Sequence, residues 1–249
     1  MTRPLLEVRG LVKTFGGITA TDDLTMDVRQ GELHAVIGPN GAGKTTFIAQ
    51  LAGMLAPTRG AIHFDGEDIT ALNAVDRVRR GIARSFQITS LWPALTLVEN
   101  VAIAVQARQG HAFRFWERAA RSPRLQEPAL QLLRRVGLEA KADMSAQALS
   151  HGEQRQLELA VTLATGPRLL LLDEPMAGMS GEDSQRMLGL LRELKASYTI
   201  LLVEHDMDAV FALADRISVL VYGHCAATGT PEAIRANEQV RAAYLGEPA

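Results

Sequence analysis

The sequence has one cysteine, Cys225, among its 249 residues. A lone cysteine excludes an intramolecular disulfide and a metal site built from several cysteines, and it is typical of reducing compartments. No apolar run approaches the ~18 residues that a membrane-spanning helix needs, and even the run at residues 169–172 is followed at once by two acids. Residues 1–10 lack the basic start and apolar core of a secretory signal. These absences predict a cytoplasmic protein that reaches a membrane only as a peripheral partner.

The sequence also has no large excess of positive or negative charge. Lysine and arginine number 26, aspartate and glutamate number 28, and the formal net charge is -2, which argues against a protein that coats nucleic acid. With 47% hydrophobic and 22% charged residues, the composition is that of an ordinary globular protein. No internal repeat and no proline-rich or serine-rich linker divides the chain. We therefore predict a single domain over residues 1–249 and no nucleic acid partner.

The apolar pattern predicts an α/β fold. Near the start of the chain, apolar and polar residues alternate over residues 6–28, which predicts half-buried strands of a small antiparallel β subdomain. Further on, short apolar runs alternate with helical patterns, which predicts a mostly parallel sheet. Short strands are expected over residues 61–86, and residues 97–136 are mostly helical in pattern. We therefore expect an inserted α-helical subdomain over approximately residues 88–165.

The strongest motif is a phosphate loop, residues 38–45, which matches the pattern G-x-x-x-x-G-K-[ST] between a predicted strand and a predicted helix. Glycines let the backbone aim successive N–H groups at phosphate oxygens, the following helix contributes its positive end, and Lys44 reaches the β and γ oxygens. Thr45 supplies a hydroxyl for Mg2+. The nucleotide-contacting residues predicted here are Gly38, Pro39, Asn40, Gly41, Ala42, Gly43, Lys44, Thr45 and Thr46.

Two acids, Asp173 and Glu174, stand at the end of an apolar strand of four leucines. The carboxyl ends of strands are where α/β sheets bind ligands. Asp173 is suited to bind Mg2+, directly or through water, and Glu174 is placed to polarise the water that attacks the γ-phosphate. The competing interpretation is a pair of exposed acids at a strand end. Together with the phosphate loop, the pair predicts an ATP hydrolase with ATP and Mg2+ as cofactors.

Residues 149–154, Leu-Ser-His-Gly-Glu-Gln, resemble the LSGGQ signature of ATP-binding cassette (ABC) ATPases. The resemblance covers essentially the whole chain and implies a P-loop NTPase core. It also implies three further site residues in the family's order: Phe15 to stack on adenine, Gln87 as a ligand of Mg2+ or water, and His205 as a donor to the γ-phosphate. The alternatives are an aromatic that only packs for Phe15 and a structural histidine for His205.

The signature departs from the common form of the family, with His151 in place of glycine and Glu153 in place of glutamine. Ser150 and the Gly152 amide, at the start of a predicted helix, retain the donors that the family presents to the γ-phosphate of a nucleotide held by the other subunit. In the following D-loop, Ser180 stands where many relatives place aspartate. These departures leave the details of cross-subunit coupling open, but not nucleotide binding.

The resemblance implies partners as well. These are a second ABC ATPase, either a copy or a homologue, polytopic membrane permease subunits and, in the full system, a secreted solute-binding protein, with this chain at the inner face of the cell membrane. Residues 81–87, 97–101 and 231–234, with the tail at 240–246, look like ATPases of branched-chain amino acid uptake. ATPases of urea or amide uptake and of lipopolysaccharide export are the alternatives, and a soluble ABC ATPase is favoured less.

The segment at residues 106–124 mixes aromatic and basic side chains. These are Phe113, Phe115 and Trp116 with Arg108, Arg114, Arg118, Arg121 and Arg124. Two interpretations stay open, since such a segment can dock a permease loop or anionic lipid headgroups, or it can be a solvated helical face with core aromatics.

Overall fold

The computed structural model describes residues 3–85, 91–109 and 122–240. Its strands are β1 (Pro4–Phe15), β2 (Ile18–Arg29), β3 (Leu33–Ile37), β4 (Arg59–Phe64), β5 (Glu67–Asp68), β6 (Ile82–Arg84), β7 (Leu169–Asp173), β8 (Thr199–Val203), β9 (Arg216–Val221) and β10 (His224–Gly229). Its α-helices are α1 (Lys44–Leu51), α2 (Ala74–Arg80), α3 (Leu97–Arg108), α4 (Pro123–Arg135), α5 (His151–Ala164), α6 (Gly181–Lys195), α7 (Met207–Leu213), α8 (Pro231–Arg235) and α9 (Glu238–Val240).

The strands form two sheets. A four-stranded antiparallel sheet has the order β2-β1-β4-β5. A six-stranded sheet has the order β10-β9-β3-β8-β7-β6, in which every neighbouring pair is parallel except β10 with β9. The predicted class, an α/β core with a mostly parallel sheet and a small antiparallel sheet, is confirmed.

The central strands β3, β7 and β8 are buried at every residue, as expected for parallel strands that are covered on both faces. Successive side chains of such a strand point to opposite faces. In β3, Ala35 and Ile37 belong to the larger apolar cluster together with helices α3 to α7. Val36 belongs to the other cluster, with Phe47 of α1 and the antiparallel sheet. The large sheet therefore separates two apolar layers.

Helices α3, α4 and α5 lie in the chain between β6 and β7 and pack against one another. The apolar residues Leu125, Ala129 and Leu133 of α4 recur every four residues and are buried, which is the spacing of one helix face. The predicted helical subdomain at 88–165 lies partly outside the described residues, so its bounds stay a prediction. Within the described ranges, no helix is both long and apolar enough to cross a membrane.

One element differs from the sequence-based expectation. Residues 61–86 were expected to form only short strands, but the structure places α2 between β5 and β6. The Asn73 side chain caps this helix by accepting from the Asp76 N–H at 3.0 Å, and Gly81 ends it with a φ of +100°. Four of the seven residues of α2 are charged, so the helix shows no apolar repeat. The only sequence signals for this helix are its capping residues, Asn73 and Gly81.

A candidate nucleotide site at the carboxyl edge of the parallel sheet

The strand order brings three predicted segments to one edge of the sheet. Strand β8 lies between β3 and β7, and Val203 at its end pairs with Val36 on one side and Asp173 on the other. The phosphate loop follows β3, Glu174 follows β7 and His205 follows β8. Because all three strands are parallel, these residues meet at the same edge.

Lys44 is the lysine of the phosphate loop, and its side chain is folded back onto the loop. Its ammonium Nζ donates to the carbonyl oxygens of Gly38 at 2.6 Å and Pro39 at 3.0 Å. Burial lowers the pKa of Lys44 below its ordinary value, and the nearby carboxylates of Glu174 and Asp173 oppose that shift. The structure therefore brings the predicted phosphate-binding cation together with both predicted acids.

The N-terminus of α1 has no side-chain cap and no acidic residue in its first turn. Its N-cap residue is Gly43, with a φ of +94°, and a Cβ there would lie 2.1 Å from the carbonyl oxygen of Ala20, so only glycine fits. Uncapped N–H groups at the positive end of a helix are a binding site for an anion. Residues Asn40, Gly41 and Thr45 are exposed beside it. The loop therefore fits a phosphate chain.

Asp173 is buried, with a side chain 0% exposed. Its Oδ2 accepts from Nη2 of Arg84 at 2.6 Å, while Oδ1 has no hydrogen-bond partner among the described residues. In that same part of the chain, no three acids, histidines or cysteines are grouped to hold a metal ion. Mg2+ commonly binds through one or two carboxylates together with phosphate oxygens. Asp173 and the Thr45 hydroxyl therefore fit a Mg2+ that arrives with the nucleotide.

Glu174 adopts a φ of +50°, in the left-handed region that residues other than glycine rarely use. Its N–H donates to the carbonyl oxygen of Val203 at 2.9 Å, which ties it to the end of β8. Its Oε1 lies 4.0 Å from Nδ1 of His205, whose side chain is 59% exposed. Such backbone strain costs about 1–3 kcal/mol and concentrates at functional positions. Of the three residues predicted to be catalytic, Glu174 and His205 are neighbours, and Gln87 lies outside the described residues.

Sequence reasoning missed Glu204, whose side chain links the two loops that carry Glu174 and His205. Its buried carboxylate accepts from the N–H of Met176 through Oε1 and from the N–H of His205 through Oε2, both at 3.1 Å. Burial raises the pKa of Glu204 above its ordinary value. The carboxylate joins the loop after β7 to the loop after β8. Its place beside His205 in the sequence was visible, but nothing local indicated that it is buried.

Phe15 lies at the end of β1 with 49% of its surface exposed. The Lys13 ammonium is 5.3 Å from the ring centroid, and Ile18, at the start of β2, is also exposed. A ring that packs only in the core would be buried, so the exposed ring fits the predicted stacking on adenine. The role of Phe15 stays a prediction.

Ser150 is the N-cap of α5 and forms a capping box with Glu153. The Ser150 Oγ accepts from the Glu153 N–H at 3.3 Å, and Glu153 Oε2 accepts from the Ser150 N–H at 3.1 Å. Glu153 also pairs with Lys141, and this hydrogen bond lowers the pKa of Glu153. Glu153, unusual for the signature, therefore has a structural role.

Gly152 packs against α6. A Cβ at this position would lie 2.7 Å from Cγ of Asp183, so a larger residue here would force the Asp183 side chain to shift. Ser180, the other departure, is the N-cap of α6, because its Oγ accepts from the Asp183 N–H at 3.2 Å. Within the described residues, no hydrogen bond or ion pair joins Ser150 or Gly152 to the phosphate loop. Ser150 and Gly152 therefore form a second group of predicted ligands, without a direct polar contact to the phosphate loop in the described residues.

The chain belongs to the ABC transporter family, whose model matches residues 21–177, and it is therefore an ATP-binding ATPase. Residues 226–249 match a second model, described as branched-chain amino acid ATP-binding cassette transporter. The chain is 40% identical over 259 residues to the high-affinity branched-chain amino acid transport ATP-binding protein BraF of Pseudomonas aeruginosa, covering 99% of this chain and 100% of that protein. It is 39% identical over 254 residues to LivG of Escherichia coli, with the same coverage.

Solved structures agree with this assignment. The ADP conformation of the ATP-binding cassette MJ1267 has a TM-score of 0.87 at 29% identity, with 99% of this chain and 100% of that chain covered. A nucleotide-free ATP-binding cassette from an ABC transporter has a TM-score of 0.85 at 27% identity, with 98% and 100% covered. The resemblance that the sequence motifs indicated is confirmed.

Proposed function

We propose that this chain is the ATP-hydrolysing subunit of an importer of branched-chain amino acids. The observation that carries the proposal is the end-to-end similarity to BraF and LivG, two proteins named for that transport. The match of residues 226–249 to a model described for the same transport supports it independently of the ATPase motifs. The chain works at the inner face of the cell membrane, with a permease and a secreted solute-binding protein as its partners.

The nucleotide is held by the phosphate loop. Backbone N–H groups at the N-terminus of α1 donate to the phosphate oxygens, and the Lys44 ammonium, which now donates to two carbonyl oxygens, turns to the β and γ oxygens. The exposed ring of Phe15 stacks on adenine. Thr45 and Asp173, with Gln87, would hold Mg2+, which when bound neutralises charge on the phosphates.

Hydrolysis then depends on Glu174 and His205. Glu174 orients the attacking water and accepts its proton, and His205 donates to the γ-phosphate. Their spacing of 4.0 Å and the bracing of the His205 N–H by Glu204 support a joint role. The strained backbone of Glu174 is held by Val203, so its carboxylate is positioned before the nucleotide binds.

The second group of ligands completes the site of another ATPase subunit. Ser150 and Gly152 lie at the N-terminus of α5, on a helix that packs against α6. Their donors face the γ-phosphate of the partner's nucleotide in a head-to-tail dimer, formed with a copy of this chain or with a homologue. The capped helix end is already formed in the single chain, which supports its use as a preformed surface.

An apolar groove supports the permease assignment. Met54, Val78, Leu91 and Val161 line it between the end of α1, α2 and α5, and Met54 and Val78 are exposed. Exposed apolar surface rimmed by polar residues marks a protein contact. We assign the groove to a permease segment.

Uptake measured in cells tests the proposal. In a strain that lacks this chain, uptake of labelled leucine should fall to background, and wild-type protein should restore it while Glu174→Gln should not. The exposed Glu182→Gln serves as the matched control and should restore uptake fully. Normal leucine uptake in the deletion strain, with urea uptake lost instead, would assign the chain to urea import.

A further inference from the structure

Arg84 lies at the end of β6, and its side chain contacts the predicted Mg2+ ligand Asp173 at the end of the neighbouring strand β7. In the sheet, Arg84 pairs with Leu171 of β7, and the N–H of the next residue, Ser85, donates to the Leu171 carbonyl oxygen at 2.9 Å. The sheet therefore fixes the backbone from which the guanidinium extends. Nη2 donates to Oδ2 of Asp173 at 2.6 Å, and the Arg84 side chain is only 10% exposed. This is a buried, charge-assisted hydrogen bond between adjacent strands.

The remaining contacts of the Arg84 guanidinium are weak. Nη1 lies 3.2 Å from the thioether sulfur of Met54, and Nε has no hydrogen-bond partner among the described residues. Another buried arginine, Arg77, is different: Nε, Nη1 and Nη2 all donate to backbone carbonyl oxygens at 2.7–3.1 Å. Arg77 joins backbone segments, whereas Arg84 has one strong partner, Asp173. A buried ion pair is often replaceable by apolar residues without loss of stability, so stability alone does not account for Arg84.

The two carboxylate oxygens of Asp173 differ in their hydrogen bonding. Oδ2 is held by Arg84, and Oδ1 is buried without a partner in the described part of the chain. A carboxylate accepts through both oxygens, so Oδ1 is the one left for a metal ion or for a water on it. Residues that hydrogen-bond a metal ligand fix its orientation, and their loss typically weakens metal binding 10- to 100-fold.

We propose that Arg84 is a positioning residue for Mg2+: it holds Oδ2 of Asp173 so that the carboxylate is presented to the ion through Oδ1. This inference rests on the proposed role of Asp173 as a Mg2+ ligand. Because Arg84 acts on the carboxylate and not on the phosphates, its loss should affect metal-dependent binding and spare metal-free nucleotide binding.

The test measures equilibrium binding of a fluorescent ATP analogue to the full chain, first in EDTA and then over a series of Mg2+ concentrations. Arg84→Met removes the donor and keeps an apolar stem of similar length. Its affinity in EDTA should stay within about 2-fold of wild type, and the Mg2+ concentration for half-maximal effect should rise about 10- to 100-fold. Arg84→Gln keeps an N–H donor without the charge and should recover part of this shift.

Two controls separate the causes. Arg77→Met removes a buried arginine that does not contact Asp173, so it should leave the Mg2+ midpoint unchanged. Asp173→Asn should raise that midpoint at least as far as Arg84→Met does. If Asp173→Asn leaves the midpoint unchanged, the assignment of Asp173 itself has failed.

The remaining outcomes decide about Arg84. An unchanged or lower Mg2+ midpoint in Arg84→Met, with EDTA affinity intact and Asp173→Asn impaired, would overturn the positioning role. A lower midpoint would mean that the guanidinium competes with the ion. If Arg84→Met fails to bind in EDTA because it does not fold, Arg84→Gln is measured in the same way: a raised midpoint would support the positioning role, and a midpoint equal to wild type together with impaired Asp173→Asn would overturn it.

Discussion

The N-terminus of α1 has no side-chain cap, whereas the N-terminus of α5 is closed by a capping box between Ser150 and Glu153. Both helix ends were predicted from the sequence to bind phosphate. At α1, glycine and a left-handed backbone leave the first N–H groups without side-chain acceptors. At α5, the Glu153 carboxylate already accepts from the Ser150 N–H.

The difference has an energetic consequence. A glycine N-cap such as Gly43 costs a helix only about a few tenths of a kcal/mol relative to Ser, Thr, Asn or Asp, and a bound phosphate offsets that cost at α1 by accepting from the free N–H groups. At α5 the helix end is stable without a ligand, and an incoming phosphate has to approach beside the Glu153 carboxylate. We infer that α1 binds the nucleotide within one chain and that α5 contributes only when a partner brings its nucleotide close.

The largest expected effect lies in the chemistry at the α1 side. Glu174→Gln should keep ATP and Mg2+ binding and lower turnover by about 10²-fold or more, because a general base contributes 10²- to 10⁴-fold. Phosphate release and ATP affinity are measured on the same preparations. Turnover near that of wild type would transfer the role of the base to His205.

Lys44→Ala should weaken ATP binding about 10- to 100-fold, since it removes a charged donor worth ~1.5–3 kcal/mol from an end that has no other charged side chain in its first turn. Fluorescent nucleotide titration gives the affinity. The matched control is Lys195→Ala, because Lys195 pairs with Asp215 at the opposite edge of the sheet. If the folded Lys44→Ala protein binds ATP with wild-type affinity, the N-terminus of α1 is not the phosphate-binding site.

Ser150→Ala tests the α5 side. It should lower the free energy of unfolding by about 1 kcal/mol through loss of the cap, leave ATP affinity of the single chain unchanged, and reduce hydrolysis in the dimer. Urea unfolding, nucleotide titration and phosphate release report these three quantities. Weaker ATP binding by the monomeric variant would contradict the separation of the two helix ends.

The sequence predicted the α1 side of this comparison well because its signals are local. The phosphate loop is one contiguous motif, and the four leucines at residues 169–172, predicted as an apolar strand, lie in β7. The partners that organise the site are distant in the chain: Arg84 and Asp173 are 89 residues apart, and Glu204 and Met176 are 28 apart. Strand order joins them, and no local pattern encodes which strands become neighbours.

The α5 side was predicted only in outline. Ser150 and Gly152 were recognised by resemblance, and the helix predicted to start beside them is α5. The sequence did not reveal that Glu153 pairs with Lys141, or that Gly152 packs closely against the Asp183 side chain. Both facts depend on side chains from other elements, so packing had to be known before the departures from the common signature could be interpreted.

The smallest expected effect concerns Glu153→Gln, which restores the usual residue of the family. Glutamine can still accept from the Ser150 N–H, but it loses the charge that pairs with Lys141. Because this pair is partly exposed, the free energy of unfolding should fall by less than ~1 kcal/mol at pH 7. ATP turnover in the dimer should rise a few-fold, since a carboxylate no longer lies beside the incoming phosphate.

The pH dependence separates this charge from the cap. Hydrogen bonding to Lys141 holds the pKa of Glu153 below its ordinary value of 4.5. Its contribution is therefore fully present above pH 4.5 and is lost as the pH falls through the lowered pKa. Urea unfolding of wild type and Glu153→Gln should show a gap at pH 7 that closes in acid, and Lys141→Met should show little further change when combined with Glu153→Gln. A gap that persists in acid would mean that the capping hydrogen bond, which glutamine then fails to replace, stabilises α5 and that the ion pair does not.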